Sequence, residues 1–154
     1  MKRQFKTALM ITLLAFVFGL PPLVSLQIQA EGLCCVAGKY EGFKINYVKP
    51  NCPRPLKETF TMFIKQMRPC SAAVGGTITD PAGELNHWTG TLSPGLARGC
   101  CLIEGNFLTS SGNTVKFKGT ICLKSGKWHA QGTWEEIKSP DPCRGGGTWQ
   151  MSRI

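Results

Sequence analysis

The chain has 154 residues and a formal charge of +9, with 18 glycines, 10 prolines and 8 cysteines. That length suits one ordinary domain, and 42% hydrophobic against 18% charged residues excludes a disordered polar chain. Glycine without a Gly-X-Y period excludes collagen, while an even number of cysteines in so short a chain points to a disulfide framework formed in an oxidising compartment.

Lys2, Arg3 and Lys6 precede an apolar run over 8–20, the pair Pro21-Pro22 and a more polar stretch ending at Ala30. This is the layout of a secretory signal peptide. Gly19 and the prolines break the run short of the ~20 residues a membrane-spanning helix needs. Residues 1–30 are therefore read as a signal peptide cleaved after Ala30, and 31–154 as a single secreted domain, extracellular or periplasmic. No membrane span is expected after cleavage. Glu31-Gly32-Leu33 ahead of Cys34 is not the small-residue box of a lipoprotein. The remaining 124 residues hold 15 basic against nine acidic side chains, a charge of +6, and all eight cysteines.

Strand signals follow one another along 31–154. The first, over 36–42, contains Gly38-Lys39-Tyr40, and the second, over 59–66, places Phe60, Met62 and Ile64 on one face. Six more strands are each marked by a Gly-Thr/Asn-apolar tripeptide beginning at Gly76, Gly90, Gly105, Gly119, Gly132 and Gly147, at spacings of 14, 15, 14, 13 and 15 residues. Such a unit is one strand plus one turn, too short for a helical or propeller repeat. Alternation assigns the faces. Trp88, Gly90 and Leu92 share the apolar side, as do Ile103, Gly105 and Phe107, then Val115, Phe117, Gly119, Ile121 and Leu123. Trp128, Ala130, Gly132 and Trp134 follow, then Gly147, Trp149 and Met151. Lys116, Lys118, Thr120, His129, Gln131, Thr133 and Glu135 take the other side. The glycines sit on the apolar face, where they relieve crowding and allow a small sheet to coil.

Two turns fix a register. Ser125-Gly126 reads as a two-residue hairpin turn and Ser110-Ser111-Gly112 as a three-residue loop. The loop sets Glu104 opposite Lys118, Gly105 opposite Phe117 and Cys100 opposite Cys122. The turn sets Phe117 opposite Trp134 and Lys116 opposite Glu135. Two opposite-charge pairs and an aromatic over a glycine agree with this register. The fold expected is all-β, an eight-stranded antiparallel up-and-down barrel stapled by disulfides. An open sandwich is the alternative. A membrane barrel needs an apolar outside and a polar lumen, the reverse of this pattern.

Loops of a meander alternate between ends. Cys34, Cys35, Cys70, Cys100, Cys101 and Cys122 fall at the end where the first strand begins, and Cys52 and Cys143 at the other. Cys52–Cys143 and Cys100–Cys122 are expected as pairs. Cys34 and Cys35 are each expected to join one of Cys70 and Cys101, in an order left open. No Cys-x-x-Cys or Cys/His spacing of the zinc or redox kind occurs, so no metal and no cofactor is expected.

With Gly38-Lys39-Tyr40 on the first strand and Arg153 near the end of the last, the chain resembles the calycin group, the lipocalins and avidin-like barrels. Lipocalins carry Gly-x-Trp on the first strand, with an arginine of the last strand over the ring at the closed end; Tyr40 stands in the tryptophan's place. The resemblance covers the architecture of the whole mature chain, but its motif only these residues. It implies an interior that takes a small apolar or flat ligand.

Face assignment gives the lining: Tyr40, Phe60, Met62, Trp88, Phe107, Phe117, Trp128, Trp134 and Trp149, with Glu136 as its polar member near the mouth. Such a lining either fills an eight-stranded barrel or leaves a cavity. The mouth is the Cys52 end. Its first loop, 44–58, brings Lys44, Lys49, Arg54 and Lys57 against Glu58, and Lys138 and Arg144 lie nearby. An anionic group or an acidic protein could be met there, although Asp80 and Glu84 offset the field. Catalytic signals are thin: no phosphate loop, no serine with a recognisable histidine partner, and Glu135 and Glu136 facing opposite sides of one strand. No catalytic residue is assigned, and nothing interleaves aromatic and basic residues for nucleic acid. The function expected is binding of a small hydrophobic or amphipathic ligand. The alternative is a filled barrel acting through its loops on a secreted protein partner, as an inhibitor of a secreted hydrolase or a cell-surface component.

Overall fold

The computed structural model describes residues 34–52, 54–139 and 143–154; the expected signal peptide lies outside them. Their alternating side chains form eight strands: β1 Gly38–Asn46, β2 Lys57–Gln66, β3 Ala73–Thr79, β4 Leu85–Pro94, β5 Cys100–Leu108, β6 Thr114–Lys124, β7 Lys127–Lys138 and β8 Gly146–Arg153. Each pairs antiparallel with its chain neighbours, and β8 returns to β1 to close a meander barrel. Closure removes the sandwich alternative. The register agrees with the turn-based expectation, with Glu104 opposite Lys118, Cys100 opposite Cys122 and Lys116 opposite Glu135.

All six repeat glycines lie in β3–β8. Their role is sharper than relief of side-chain crowding. A Cβ at Gly90 would overlap the Glu104 carbonyl oxygen, one at Gly119 the Gln131 carbonyl, and one at Gly132 the Lys118 carbonyl. Gly90 faces Gly105 and Gly119 faces Gly132 across adjacent strands. The sheet therefore coils so tightly along this belt that neighbouring backbones occupy the space a side chain would need. At Gly105 the nearest obstacle is the Phe117 ring, and at Gly119 the Trp149 ring stands just behind the carbonyl.

One end of the barrel is solid. Val36, Tyr40, Ile64, Ile103 and Ile121 are buried there, joined by Val74, Leu92, Ala130 and Met151. Gln66 holds the entering chain, accepting the Val36 N–H at 3.0 Å and donating to the Cys34 carbonyl at 2.7 Å. Arg153 stands opposite Tyr40, but its guanidinium lies against Gly38 and the side chain is exposed at the rim, not turned inward over the ring. The disulfides are Cys34–Cys101, Cys35–Cys70, Cys52–Cys143 and Cys100–Cys122. The two expected pairs are present, and the open choice falls to Cys34 with Cys101.

Two expectations need correction. Leu123 has inward parity yet is exposed, and Trp128 is only half-buried. The β6–β7 hairpin outruns its neighbours there: β5 pairing ends at Cys122 and β8 pairing at His129. The first strand is also displaced relative to the expected 36–42: it starts at Gly38 and continues through Lys44, Ile45 and Asn46, which the sequence pattern assigns to the first loop.

Candidate functional site

At the open end the polarity of the two faces inverts. Lys44, Asn46, Glu58, Asn86 and Glu136 take inward positions, while Ile45, Leu85, Leu108 and Ile137 are exposed outside. The inversion has a simple cause: the interior is wet here, so alternation no longer sends apolar residues inward. A cavity of about 280 Å³ opens at this end. Its floor is aromatic and aliphatic, built from Phe60, Met62, Ile78, Phe107, Val115, Phe117, Trp134 and Trp149. Its rim is polar, with Lys44, Arg54, Asp80, Glu84, Asn86, Thr109, Ser111, Asn113 and Glu136.

The floor is held rigidly. Phe117 packs edge-on against Trp88, with centroids 5.3 Å apart, and against Trp149 at 6.2 Å. The Trp149 indole donates to the Thr133 carbonyl at 3.0 Å. Trp134 is buried in the cavity wall, and its indole N–H has no acceptor among the described residues.

On one side of the rim, the first and last loops are locked together. Arg54 donates through Nη1 to Glu136 Oε1 at 2.9 Å, and through Nη2 to Glu136 Oε2 at 3.1 Å and the Cys143 carbonyl at 2.8 Å. The Gly145 N–H donates to Glu136 Oε2 at 2.7 Å. Lys49 Nζ donates to the Arg144 carbonyl, and Cys52–Cys143 closes the same junction covalently. Lys44 pairs with Glu58 at 3.2 Å and lies 5.0 Å from the centroid of the Trp134 ring. Glu58 also accepts from Asn46 Nδ2 at 2.6 Å.

The other side of the rim is made by the β3–β4 and β5–β6 loops. Asp80 Oδ1 accepts the Glu84 N–H at 2.8 Å, and Glu84 Oε1 accepts the Ser110 N–H at 3.1 Å. Hydrogen bonds from the Ser110 backbone and then its side chain hold the Glu84 carboxyl below the usual carboxylate range. Neither acid forms an ion pair among the described residues.

Of the side chains expected to line the interior, Phe60, Met62, Phe107, Phe117, Trp134, Trp149 and Glu136 meet at this cavity. Tyr40 instead belongs to the solid end, Trp88 backs the floor from behind, and Trp128 sits at the projecting hairpin. Of the basic set, Arg54 faces the cavity but is spent on Glu136. Lys49 is tied to the last loop. Arg144 is exposed, and Lys57 turns outward over the Phe43 ring at 3.9 Å. Lys44, Asn86 and the rim hydroxyls were not anticipated as lining. The signal that could have found them is the local reversal of alternation in Lys44-Ile45-Asn46 and Leu85-Asn86.

One serine does meet a histidine, contrary to the sequence reading: His129 Nδ1 and Ser152 Oγ lie 2.8 Å apart across β7 and β8. The pair is a cross-strand hydrogen bond between partly buried side chains at the last β7–β8 pairing. No family model matches the chain, and no curated protein is similar to it in sequence.

Proposed function

We propose that the barrel is a secreted binding protein for one compact amphipathic molecule, held in the open-end cavity without chemical change. The observation that carries this reading is the half-hollow interior: a solid apolar end supports an aromatic floor beneath a polar rim. Ligand pockets combine these features, largely apolar walls with a few placed polar groups. About 280 Å³ lies at the low end of pocket sizes and suits a single ring with a short tail better than a long acyl chain. Four disulfides suit an oxidising, extracellular-type environment, in keeping with a signal peptide at 1–30.

Intrinsic fluorescence tests the reading, because Trp134 and Trp149 form part of the floor. A panel of small aromatic and amphipathic compounds is expected to include some that quench saturably. Ile78→Trp, which fills the cavity from β3, is expected to abolish that response while leaving the β-sheet circular dichroism intact. A flat response across the panel would sink the proposal. It would favour a second reading, contact with a protein through the mouth loops, which is supported by exposed Tyr47, Val48 and Leu56 between β1 and β2.

A further inference from the structure

The solid end of the barrel presents a surface unlike that of the mouth. Chain reversals after β2, β4 and β6 lie two strands apart around it. Each brings an exposed apolar side chain together with a cation: Met67 with Arg68, Leu96 with Arg98, and Leu123 with Lys124 and Lys127. Met67 is 87% exposed, Leu123 50% and Leu96 fully. None of these groups can fold inward, because Val36, Tyr40, Ile103 and Ile121 already fill the interior below them. The backbone that carries them is pinned. Cys35–Cys70 and the Leu92 N–H on the Ala72 carbonyl, at 2.7 Å, hold the β2–β3 loop. Cys100–Cys122 and the Leu123 N–H on the Gly99 carbonyl, at 2.9 Å, hold the β4–β5 loop against β6. Half-buried Trp128 stands opposite Leu123 on the projecting hairpin.

Charge divides along the barrel axis. The segments that build this end, 34–40, 65–73, 93–101, 121–130 and 151–154, contain no acidic side chain. Glu41, the next acid along β1, pairs with Lys39 at 3.9 Å. Arg68, Lys124, Lys127 and Arg153 form no ion pair among the described residues. The mouth exposes apolar side chains too, but Glu58, Asp80, Glu84 and Glu135 are interspersed there, and outside the solid end the described cations and acids nearly balance.

We infer that the solid end docks on an anionic lipid surface, with Met67, Leu96 and Leu123 entering the boundary between headgroups and acyl chains and the cations meeting the headgroups. Peripheral attachment of this kind combines buried apolar area with attraction to anionic lipid. A sulfated polysaccharide or an acidic protein would account for the cations but not for the apolar tips beside them. The indole of Trp128 suits the same interfacial depth. The cavity opens at the opposite end and therefore faces away from the lipid, accessible to solvent-borne molecules while the barrel is attached.

Vesicle flotation of the disulfide-bonded protein provides the test. The protein is expected to float with phosphatidylcholine vesicles containing about 30% phosphatidylserine, not with phosphatidylcholine alone, and to be released as salt is raised. Two variants confined to exposed side chains separate the contributions. Arg68→Gln with Lys124→Gln and Lys127→Gln removes charge; Met67→Ser with Leu96→Ser and Leu123→Ser removes the apolar tips. Each is expected to weaken vesicle affinity about tenfold or more with thermal unfolding unchanged. The matched loss of charge at the mouth, Lys57→Gln with Lys138→Gln and Arg144→Gln, is expected to have little effect. Ile78→Trp is expected to leave flotation as it is, so this inference and the ligand-binding reading fail separately. Absence of flotation with the anionic vesicles, or equal flotation with neutral ones, overturns the inference. Charge-dependent binding that survives loss of the apolar tips overturns the lipid assignment in favour of another polyanion. Binding that survives both solid-end variants, or that falls equally when the mouth charges are removed, overturns the assignment to this end.

Discussion

Tyr40 is fully buried and donates its hydroxyl to the Val36 carbonyl at 2.6 Å. Burial pushes its phenol up to about 12, with nearby Arg153 pulling the other way. In the unfolded chain the phenol ionises near ~10, so the neutral form contributes stability that is fully present below that pH. It is lost as pH rises toward about 12, to the extent of ~2–3 kcal/mol. Tyr40→Phe is expected to cost ~1 kcal/mol at neutral pH through the lost hydrogen bond but to flatten the alkaline limb, so that the two stability curves cross; urea unfolding as a function of pH reads this directly. Glu84 has the opposite sign. Its carboxyl is held low, so its contribution is present at neutral pH and is lost only as pH falls below the ordinary carboxylate range. Arg54 and Glu136 form a nearly buried pair whose members are unequal, with the glutamate side chain 6% exposed and the arginine 28%. Arg54→Ala strands a buried carboxylate and is expected to cost ~2–4 kcal/mol, whereas Glu136→Gln leaves a cation that can reach water and should cost less. Reversal of that order in denaturant unfolding would refute the burial argument.

Strands here are shaped by what they leave out. Gly119 of β6 meets the Gln131 carbonyl of β7 where a Cβ would stand, so Gly119→Ala must push two central strands apart. A loss of ~3 kcal/mol or more, or failure to fold, is expected. Gly112 in the β5–β6 turn gives the contrast. It has φ of +81° and open space around it, so Gly112→Ala meets only backbone strain and should cost ~1 kcal/mol. Thermal unfolding of the two variants separates steric closure of the belt from ordinary turn preference. The hairpin between β6 and β7 marks the limit of the alternation rule. Leu123 keeps its inward parity past the last pairing with β5, and there is no interior left for it to enter.

For the molecule as a whole, the distribution of staples follows the distribution of core. Three disulfides bind the solid end, and Cys52–Cys143 alone secures the hollow one. It joins the loops on either side of the β1–β8 seam, 91 residues apart in sequence, beside the Arg54–Glu136 pair. Replacing both cysteines by serine is expected to remove ~4 kcal/mol by releasing the longest closed loop. The loss should exceed that for Cys100 and Cys122, which are 22 residues apart. The same variant is expected to weaken ligand affinity, because the locked loops keep Lys44 and Arg54 on their own carboxylates. Calorimetric titration beside an unfolding curve tests both consequences on one protein.

Strand number, order, facing and most of the register followed from the sequence, because each is a local matter. The Gly-Thr/Asn-apolar repeat counts strands, Ser125-Gly126 and Ser110-Ser111-Gly112 set offsets, and Lys116 with Glu135 or Glu104 with Lys118 checks them. The sorting of cysteines by barrel end followed from the same alternation. The tertiary structure alone decided which half of the interior is filled. Tyr40 and Trp88 have the same parity as Phe107 and Trp134, and only their height along the barrel separates core from cavity wall. It likewise decided that Lys44 turns inward and Lys57 outward, and that Arg54 is consumed by Glu136 while Asp80 and Glu84 remain without a cation. Alternation reports which face a side chain takes; whether that face is dry, wet or already neutralised depends on partners distant in the chain, such as Arg54 and Glu136, 82 residues apart, brought together only when β8 closes on β1.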